Sequence, residues 1–191
     1  HNNEWQYPYR ETDSLGGYDP YSASKACCEL VIESYKNSFF NQSKYNQHQK
    51  AIAVGRAGNV IGGGDWSEDR LIPDAVRAWG SAQPLVIRNP QSIRPWQHVL
   101  EPLSGYLTLA ECLSEGAPLQ GESFNFGPRA EQNHTVLQLM GDLSKHWDFA
   151  SPNDAYRVTD NIPFHEAGLL KLNCDKALFH LQWQATLNYE E

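Results

Sequence analysis

A strand that runs straight into a glycine-rich loop is the feature that most narrows the fold of this chain. Residues 50 to 55 (Lys-Ala-Ile-Ala-Val-Gly) read as a short buried strand, and Arg56-Ala57-Gly58-Asn59-Val60-Ile61-Gly62-Gly63-Gly64-Asp65 follows as a loop. A helix comes first. Asp19 suits its N-cap and Pro20 its first helical position, and it runs to about Phe39 with Cys27, Leu30 and Val31 expected inside. Helix, then strand, then glycine-rich loop is the rhythm of a parallel sheet, so the expected fold class is α/β.

The rest of the chain continues in that style. Leu71 to Ala82 reads as a helix with Pro73 in its first turn, and Pro84 to Arg88 as a short strand. Val99 to Leu113 is amphipathic, with Val99, Leu103, Tyr106, Leu107, Ala110 and Leu113 on one face. Glu122 to Phe126 is a strand that ends at Gly127-Pro128. Thr135 caps a further helix with Val136, Leu139, Met140, Leu143 and Trp147 inward. Residues 150 to 166 read as irregular, Leu169 to Leu172 as a strand and Asp175 to Leu181 as a short helix. At 191 residues the chain has room for one domain, or one and a half small ones. It opens without Met on a loop-like His1-Asn2-Asn3-Glu4 and stops in Leu187 to Glu191 like a helix cut short. The expectation is a piece of a longer protein, with an open apolar sheet edge and poor solubility when made alone.

Charge and cysteine usage remove several classes of function. The formal net charge is -8, from 15 basic and 23 acidic residues, which argues against a nucleic-acid binder whose phosphate contacts need clustered Lys and Arg. No apolar run approaches the roughly 18 residues of a membrane span, so no membrane partner is expected. Cys27, Cys28, Cys112 and Cys174 form no C-x-x-C pair, and reduced thiols in a cytoplasmic protein are the simplest reading. The adjacent Cys27 and Cys28 are expected to be small buried helix residues. The seven histidines lack the spacing of a metal site, and His98 and His165 are expected to be structural. Trp66 and Trp96 are expected to pack. Arg56 is either a buried partner of a carboxylate or a functional cation. Asn125 is expected to close a strand-end turn.

The residues best placed for chemistry are Tyr21 and Lys25. Four residues apart on a helix, they share one face. An ammonium beside a phenol favours the phenolate, which can then take a proton from a hydroxyl nearer neutral pH. Taken alone, the spacing is commonplace and equally fits two exposed residues of a surface helix.

The flanks decide between those readings. Pro20-Tyr21-Ser22-Ala23-Ser24-Lys25 resembles the P-Y-[SA]-x-S-K of the extended short-chain dehydrogenase/reductases, the NAD-dependent epimerases and dehydratases of nucleotide sugars. Three more of that family's motifs follow in its order: Arg56-Ala57-Gly58-Asn59-Val60-Ile61-Gly62, Arg94-Pro95-Trp96-Gln97-His98-Val99 and Phe124-Asn125-Phe126-Gly127. The stretches Gly16 to Tyr21, Arg56 to Trp66 and Ile93 to Pro102 look like the CDP-glucose 4,6-dehydratase branch, and the resemblance extends over essentially the whole chain.

That resemblance implies part of a Rossmann-type parallel sheet with a smaller α/β C-terminal substrate domain. Residues 1–60 would be the late part of the NAD-binding domain. Residues 61–191 would be mainly the substrate domain, interleaved with a Rossmann strand near 84–128. It implies NAD as cofactor and a nucleotide sugar, CDP-glucose, as substrate, in bacterial O-antigen dideoxysugar synthesis, with a homodimer or higher homo-oligomer as the assembly. Tyr21 would be the base at the sugar 4-hydroxyl and Lys25 would bind the nicotinamide ribose, with Ala57 and Gly58 packed against the nicotinamide. Asn59, Arg70, Leu71, Val86, Arg88, Arg94 and Glu166 would bind substrate. Arg94 would grip the diphosphate and Arg88 would stack on the base, where relatives often place an aromatic. The family's G-x-x-G-x-x-G phosphate turn does not occur in this sequence, and the family's acid/base pair for eliminating water is expected upstream of it. Two alternatives stay open: another nucleotide-sugar epimerase or dehydratase on the same scaffold, and a non-catalytic nucleotide-binding module.

Overall fold

A computed structural model of the chain describes residues 2–151, 154–159 and 167–191. The elements in chain order are α1 (Pro20–Ser38), a 3-10 turn (Gln42–Lys44), α2 (Tyr45–His48), β1 (Val54–Ala57), β2 (Asn59–Ile61), α3 (Leu71–Gly80), β3 (Leu85–Ile87), β4 (Trp96–His98), α4 (Leu100–Ser114), β5 (Ser123–Phe126), α5 (Val136–Ser144), β6 (Tyr156–Val158) and α6 (Asp175–Leu181). The strands pair as β1 with β5, β2 with β4 and β3 with β6, and every pair is parallel. Parallel partners need crossovers, and α3, α4 and α5 supply them.

The β1–β5 pair lies between two helices. Side chains alternate across a strand. On β1, Arg56 reaches α1 on one face, while the bare Gly55 lies under Tyr106 of α4 on the other. Phe124 and Phe126 of β5 are fully buried in a cluster with Leu109, Leu119, Ala177, Leu181, Trp183 and Ala185. A second cluster joins α3, β3 and α5 through Ala75, Trp79, Leu85, Ile87, Val136, Leu139 and Met140. Helix ends follow from local chemistry. Asp19 accepts from the Ser22 amide at the start of α1, and Thr135 and Gln138 form a reciprocal capping box on α5.

Several sequence expectations are corrected. No residue of α1 is buried: Cys27 and Cys28 are exposed, and so are Leu30 and Val31. The buried side of α4 is Glu101, Pro102, Gly105 and Leu109, whereas Leu103, Tyr106, Leu107 and Ala110 are exposed. The reason is close packing. Gly105 lets the helix lie on the Phe126 ring, and the Glu101 carboxylate accepts from the amides of Thr186 and Leu187. Strand β1 begins later than expected and takes in Arg56 and Ala57, and β2 lies inside the expected loop. Residues 156–158 form β6 where irregular chain was expected, and Leu169 and Leu172 make single bridges rather than a strand. Among the described residues β1 is paired on one edge only. Beside it runs an apolar groove of ≈ 480 Å³ lined by Ala51, Ile52, Ala53, Gly55, Tyr106 and Leu109.

Gly105 offers a direct check on this packing. A Cβ at that position would lie 2.3 Å from Cδ1 of Phe126. That ring is itself held edge-on by Trp183 at 4.9 Å and Tyr106 at 5.4 Å, so it has nowhere to turn. Gly105→Ala should lower stability by about 1–3 kcal/mol despite the better helix propensity of Ala. Urea denaturation reads this as a lower midpoint, and an unchanged or raised midpoint would contradict the packing.

Candidate functional site

The ends of β1 and β2, the loop into α3, the first turn of α3, and β3 with the segment after it enclose a cleft of ≈ 810 Å³. That volume suits a ligand larger than a monosaccharide. Tyr21, Ala57, Gly58, Asn59, Arg70, Leu71, Val86, Arg88 and Arg94 all line it. The outermost of them, Tyr21 and Arg94, are 73 positions apart in sequence. Among the described residues expected at the site, only Lys25 is not on its wall. Lys25 stands one turn behind Tyr21, with Nζ 5.4 Å from the centre of the phenol ring. Glu166 lies outside the described residues, as does His165.

Each side chain is brought in by a definable element. The Asp19 cap starts α1, and the Ser22 hydroxyl and amide hold the Asp19 carboxyl below the usual carboxylate range. Tyr21 follows in the first turn, with its ring largely exposed. Gly58 is obliged by close approach, because a Cβ there would lie 2.7 Å from the Pro95 carbonyl oxygen. The strand end therefore sits against the segment that carries Arg94. The N-terminus of α3 opens on the cleft through Arg70 and Leu71, and no side chain caps it. First-turn amides of this kind favour an anionic ligand. Arg88 and Val86 are exposed on the β3 side, and Arg94 donates from Nη1 to its neighbour's carbonyl at 3.0 Å.

The cleft also holds residues that sequence reasoning did not single out: Asp65, Glu68, Asp69, Asp74 and Asn89. Asp65 accepts from the Ser67 amide, which with the Ser67 hydroxyl holds it below the usual carboxylate range. Arg70, 3.9 Å away, adds to the effect. Arg77 pins this loop by donating to the carbonyls of Trp66 and Ser67 while pairing with Asp74. The Trp66 ring is exposed, not packed as expected. Trp96 does pack, and its indole donates to the His134 carbonyl. Asn125 is buried within β5 and donates to the carbonyls of Tyr9 and Asn173, so it ties two distant segments to the strand and does not close a strand-end turn. Arg56 resolves to the structural alternative, as a two-point partner of Glu29. His98 is exposed, and its Nδ1 accepts from the Leu100 amide at the start of α4. Among the described residues no group of His, Cys, Asp and Glu is placed to hold a metal, and no helix is long and apolar enough to cross a membrane.

With this geometry in place, comparison with known proteins becomes informative. No protein-family model matches the chain. Over 185 residues it is 52% identical to a CDP-glucose 4,6-dehydratase of Salmonella typhimurium strain LT2, covering 95% of this chain and 50% of that protein. This chain is homologous to half of a CDP-glucose 4,6-dehydratase. It spans about half the length of the relatives it matches. A UDP-glucuronic acid 4-epimerase from Bacillus cereus, in complex with UDP-glucuronic acid and NAD, superposes with a TM-score of 0.76 at 18% identity, over 95% of this chain and 52% of that one. A dTDP-glucose 4,6-dehydratase from Streptomyces venezuelae with NAD bound gives 0.74 at 20% identity, over 96% and 51%. The fold is thus that of the nucleotide-sugar epimerases and dehydratases.

Cysteine chemistry is absent from the cleft wall. Cys174 sits beside Gly127, its thiol 3.8 Å from that carbonyl, and burial pushes the thiol up to about 12. The thiolate is the reactive form, so at pH 8 Cys174 should alkylate roughly a thousandfold more slowly than an unstructured cysteine peptide. Mass-spectrometric mapping of iodoacetamide labelling checks this; early labelling of Cys174 in folded protein would contradict it.

Proposed function

We propose that the protein to which this chain belongs is an NAD-dependent lyase that converts CDP-D-glucose to CDP-4-dehydro-6-deoxy-D-glucose, in the cytoplasm and toward the dideoxysugars of bacterial O-antigen. The observation that carries the reading is convergence. The residues expected to hold and oxidise the sugar nucleotide meet on one cleft of ≈ 810 Å³, in a chain 52% identical to a CDP-glucose 4,6-dehydratase. The domain division of the reading gives residues 1–60 to the cofactor side and 61–191 mainly to the substrate side, with interleaving near 84–128.

In this reading Tyr21 is the base that takes the proton of the sugar 4-hydroxyl, and Lys25 one turn behind it binds the nicotinamide ribose. Arg94 grips the diphosphate with its fork of donors, and the α3 N-terminus at Arg70 and Leu71 adds amides to the same charge. Asn59 hydrogen-bonds the sugar diphosphate. Val86 and Arg88 form the base pocket, with the planar guanidinium of Arg88 stacked on cytosine. Asp65, Glu68 and Asp69 are acidic groups on the same wall as Arg70, with Asp65 3.9 Å from its guanidinium.

The residues present fit the nicotinamide end of NAD. Tyr21, Ala57 and Gly58 share one wall, and the Lys25 ammonium lies 5.4 Å from the Tyr21 ring centre. When bound, NAD supplies a hydride acceptor that later returns the hydride, so net redox change is zero. No G-x-x-G-x-x-G turn for the other end of the dinucleotide occurs in the sequence. The reading gives this chain the oxidation step and the grip on substrate, and assigns none of its residues to the loss of water across C5 and C6. It includes a homodimer or higher homo-oligomer, supported by the exposed Leu30, Val31, Tyr35 and Phe39 of α1.

In the full-length protein, Tyr21→Phe should cut turnover of CDP-glucose by about 10²- to 10⁴-fold with substrate affinity nearly unchanged. Arg94→Ala should instead weaken CDP-glucose binding by about tenfold to a hundredfold, the loss of a charge-assisted bidentate contact. Steady-state kinetics and isothermal titration separate the two. A protein that epimerises UDP-glucose and leaves CDP-glucose untouched contradicts the assignment. A Tyr21→Phe enzyme of normal activity contradicts the role of Tyr21.

A further inference from the structure

Helix α1 carries the phenol of the proposed site yet has no buried residue of its own. Within this chain one contact of the helix stands out. Glu29 lies four residues beyond Lys25 and eight beyond Tyr21, so the three side chains share a face of the helix. Its carboxylate accepts from Arg56 Nε at 2.5 Å and from Arg56 Nη2 at 2.6 Å, a two-point fork. Ser123 Oγ on β5 donates to the same carboxylate at 3.3 Å, and the third arginine nitrogen donates to the Glu11 carbonyl at 3.2 Å. Both side chains are less than a quarter exposed, 23% for Arg56 and 17% for Glu29. Arg56 sits on β1 directly before Ala57 and Gly58, which line the cleft beside Tyr21.

We infer that Glu29 and Arg56 are positioning residues that set where Tyr21 stands over the cleft. The inference rests on the reading of Tyr21 as the base at the sugar hydroxyl. Its physical content is a lever. Eight residues of helix separate Glu29 from Tyr21, about 12 Å at 1.5 Å per residue. A pivot of about 5° at the fork moves the phenol by about 1 Å, and a 1 Å misplacement of a reacting group can cost about a hundredfold in rate. A guanidinium fork fixes both the distance and the roll of the helix, because it binds two carboxylate oxygens in one plane. A lysine ammonium keeps the charge and loses the plane. A pair that served stability alone would be indifferent to that difference once the protein is folded.

The test uses the full-length enzyme with CDP-glucose, comparing Arg56→Lys, Glu29→Gln and Tyr21→Phe. For each, kcat, KM, the dissociation constant of CDP-glucose and the melting temperature are measured. The inference expects Arg56→Lys to stay folded and to bind CDP-glucose within about twofold of the parent, while kcat falls by about tenfold or more. Glu29→Gln should lower kcat in the same way. Folded Arg56→Lys with parental kcat overturns the inference even if its melting temperature drops, since the pair would then be structural only. If Glu29→Gln fails to fold, Arg56→Lys decides. Tyr21→Phe with parental kcat removes the underlying reading, whereas an inactive Tyr21→Phe beside a fully active Arg56→Lys removes the positioning role alone.

Discussion

Parallel pairing of β1 with β5 is the constraint on which the rest of the structure depends. Its register sets Arg56 opposite Asn125 and Ala57 opposite Phe126. A shift by one residue would turn every side chain to the other face. Arg56 would then point at the helix packed by Gly105, and the bare Gly55 would lose the close approach of Tyr106. In the observed register the strand presents an arginine to α1 and a glycine to α4, and its next two residues open on the cleft. Anchors for the pair come from both sides. Phe124 and Phe126 are fully buried, and the Asn125 side chain is bonded to two loop carbonyls.

Cleft chemistry follows from where that strand pair ends. The carboxyl ends of parallel strands are where open α/β sheets bind ligands. Ala57, Gly58 and Asn59 leave β1 into this space, and Arg94 arrives next to them because Gly58 has no side chain to hold Pro95 away. Three arginines, four carboxylates and an uncapped helix N-terminus line the cleft, and Arg70 stands 3.9 Å from Asp65 on the same wall.

Much of this was legible in the sequence because it depends on local rules. The caps at Asp19 and Thr135, the proline in the first turn of α3, and the glycines after β1 each have a short-range reason. The motif residues also converge as their order implies. What failed were particular judgements that depend on the third dimension. Periodicity identifies an apolar face on α4 through Leu103, Tyr106 and Leu107, but the side packed inward is the one with a glycine where Phe126 needs room. Glu101, at the start of α4, is buried, and its carboxylate accepts from two backbone amides 85 and 86 positions away. β6 has no alternating pattern to announce it: Tyr156 is half-buried and Arg157 and Val158 are exposed, and its pairing with β3 is what makes it a strand. Glu29 did leave a signal, its spacing from Tyr21 and Lys25 along one helix face.

The central claim is that one cleft holds a nucleotide sugar with its reacting hydroxyl at Tyr21. A crystal structure of the full-length protein with CDP-glucose tests it most directly. The account predicts the diphosphate in hydrogen-bond contact with Arg94 and the glucose 4-hydroxyl about 2.6–3.2 Å from the Tyr21 hydroxyl, the reach that proton transfer requires. A nucleotide seated outside the cleft, or one whose sugar lies well beyond the reach of Tyr21 while Arg94 makes no contact, would contradict it.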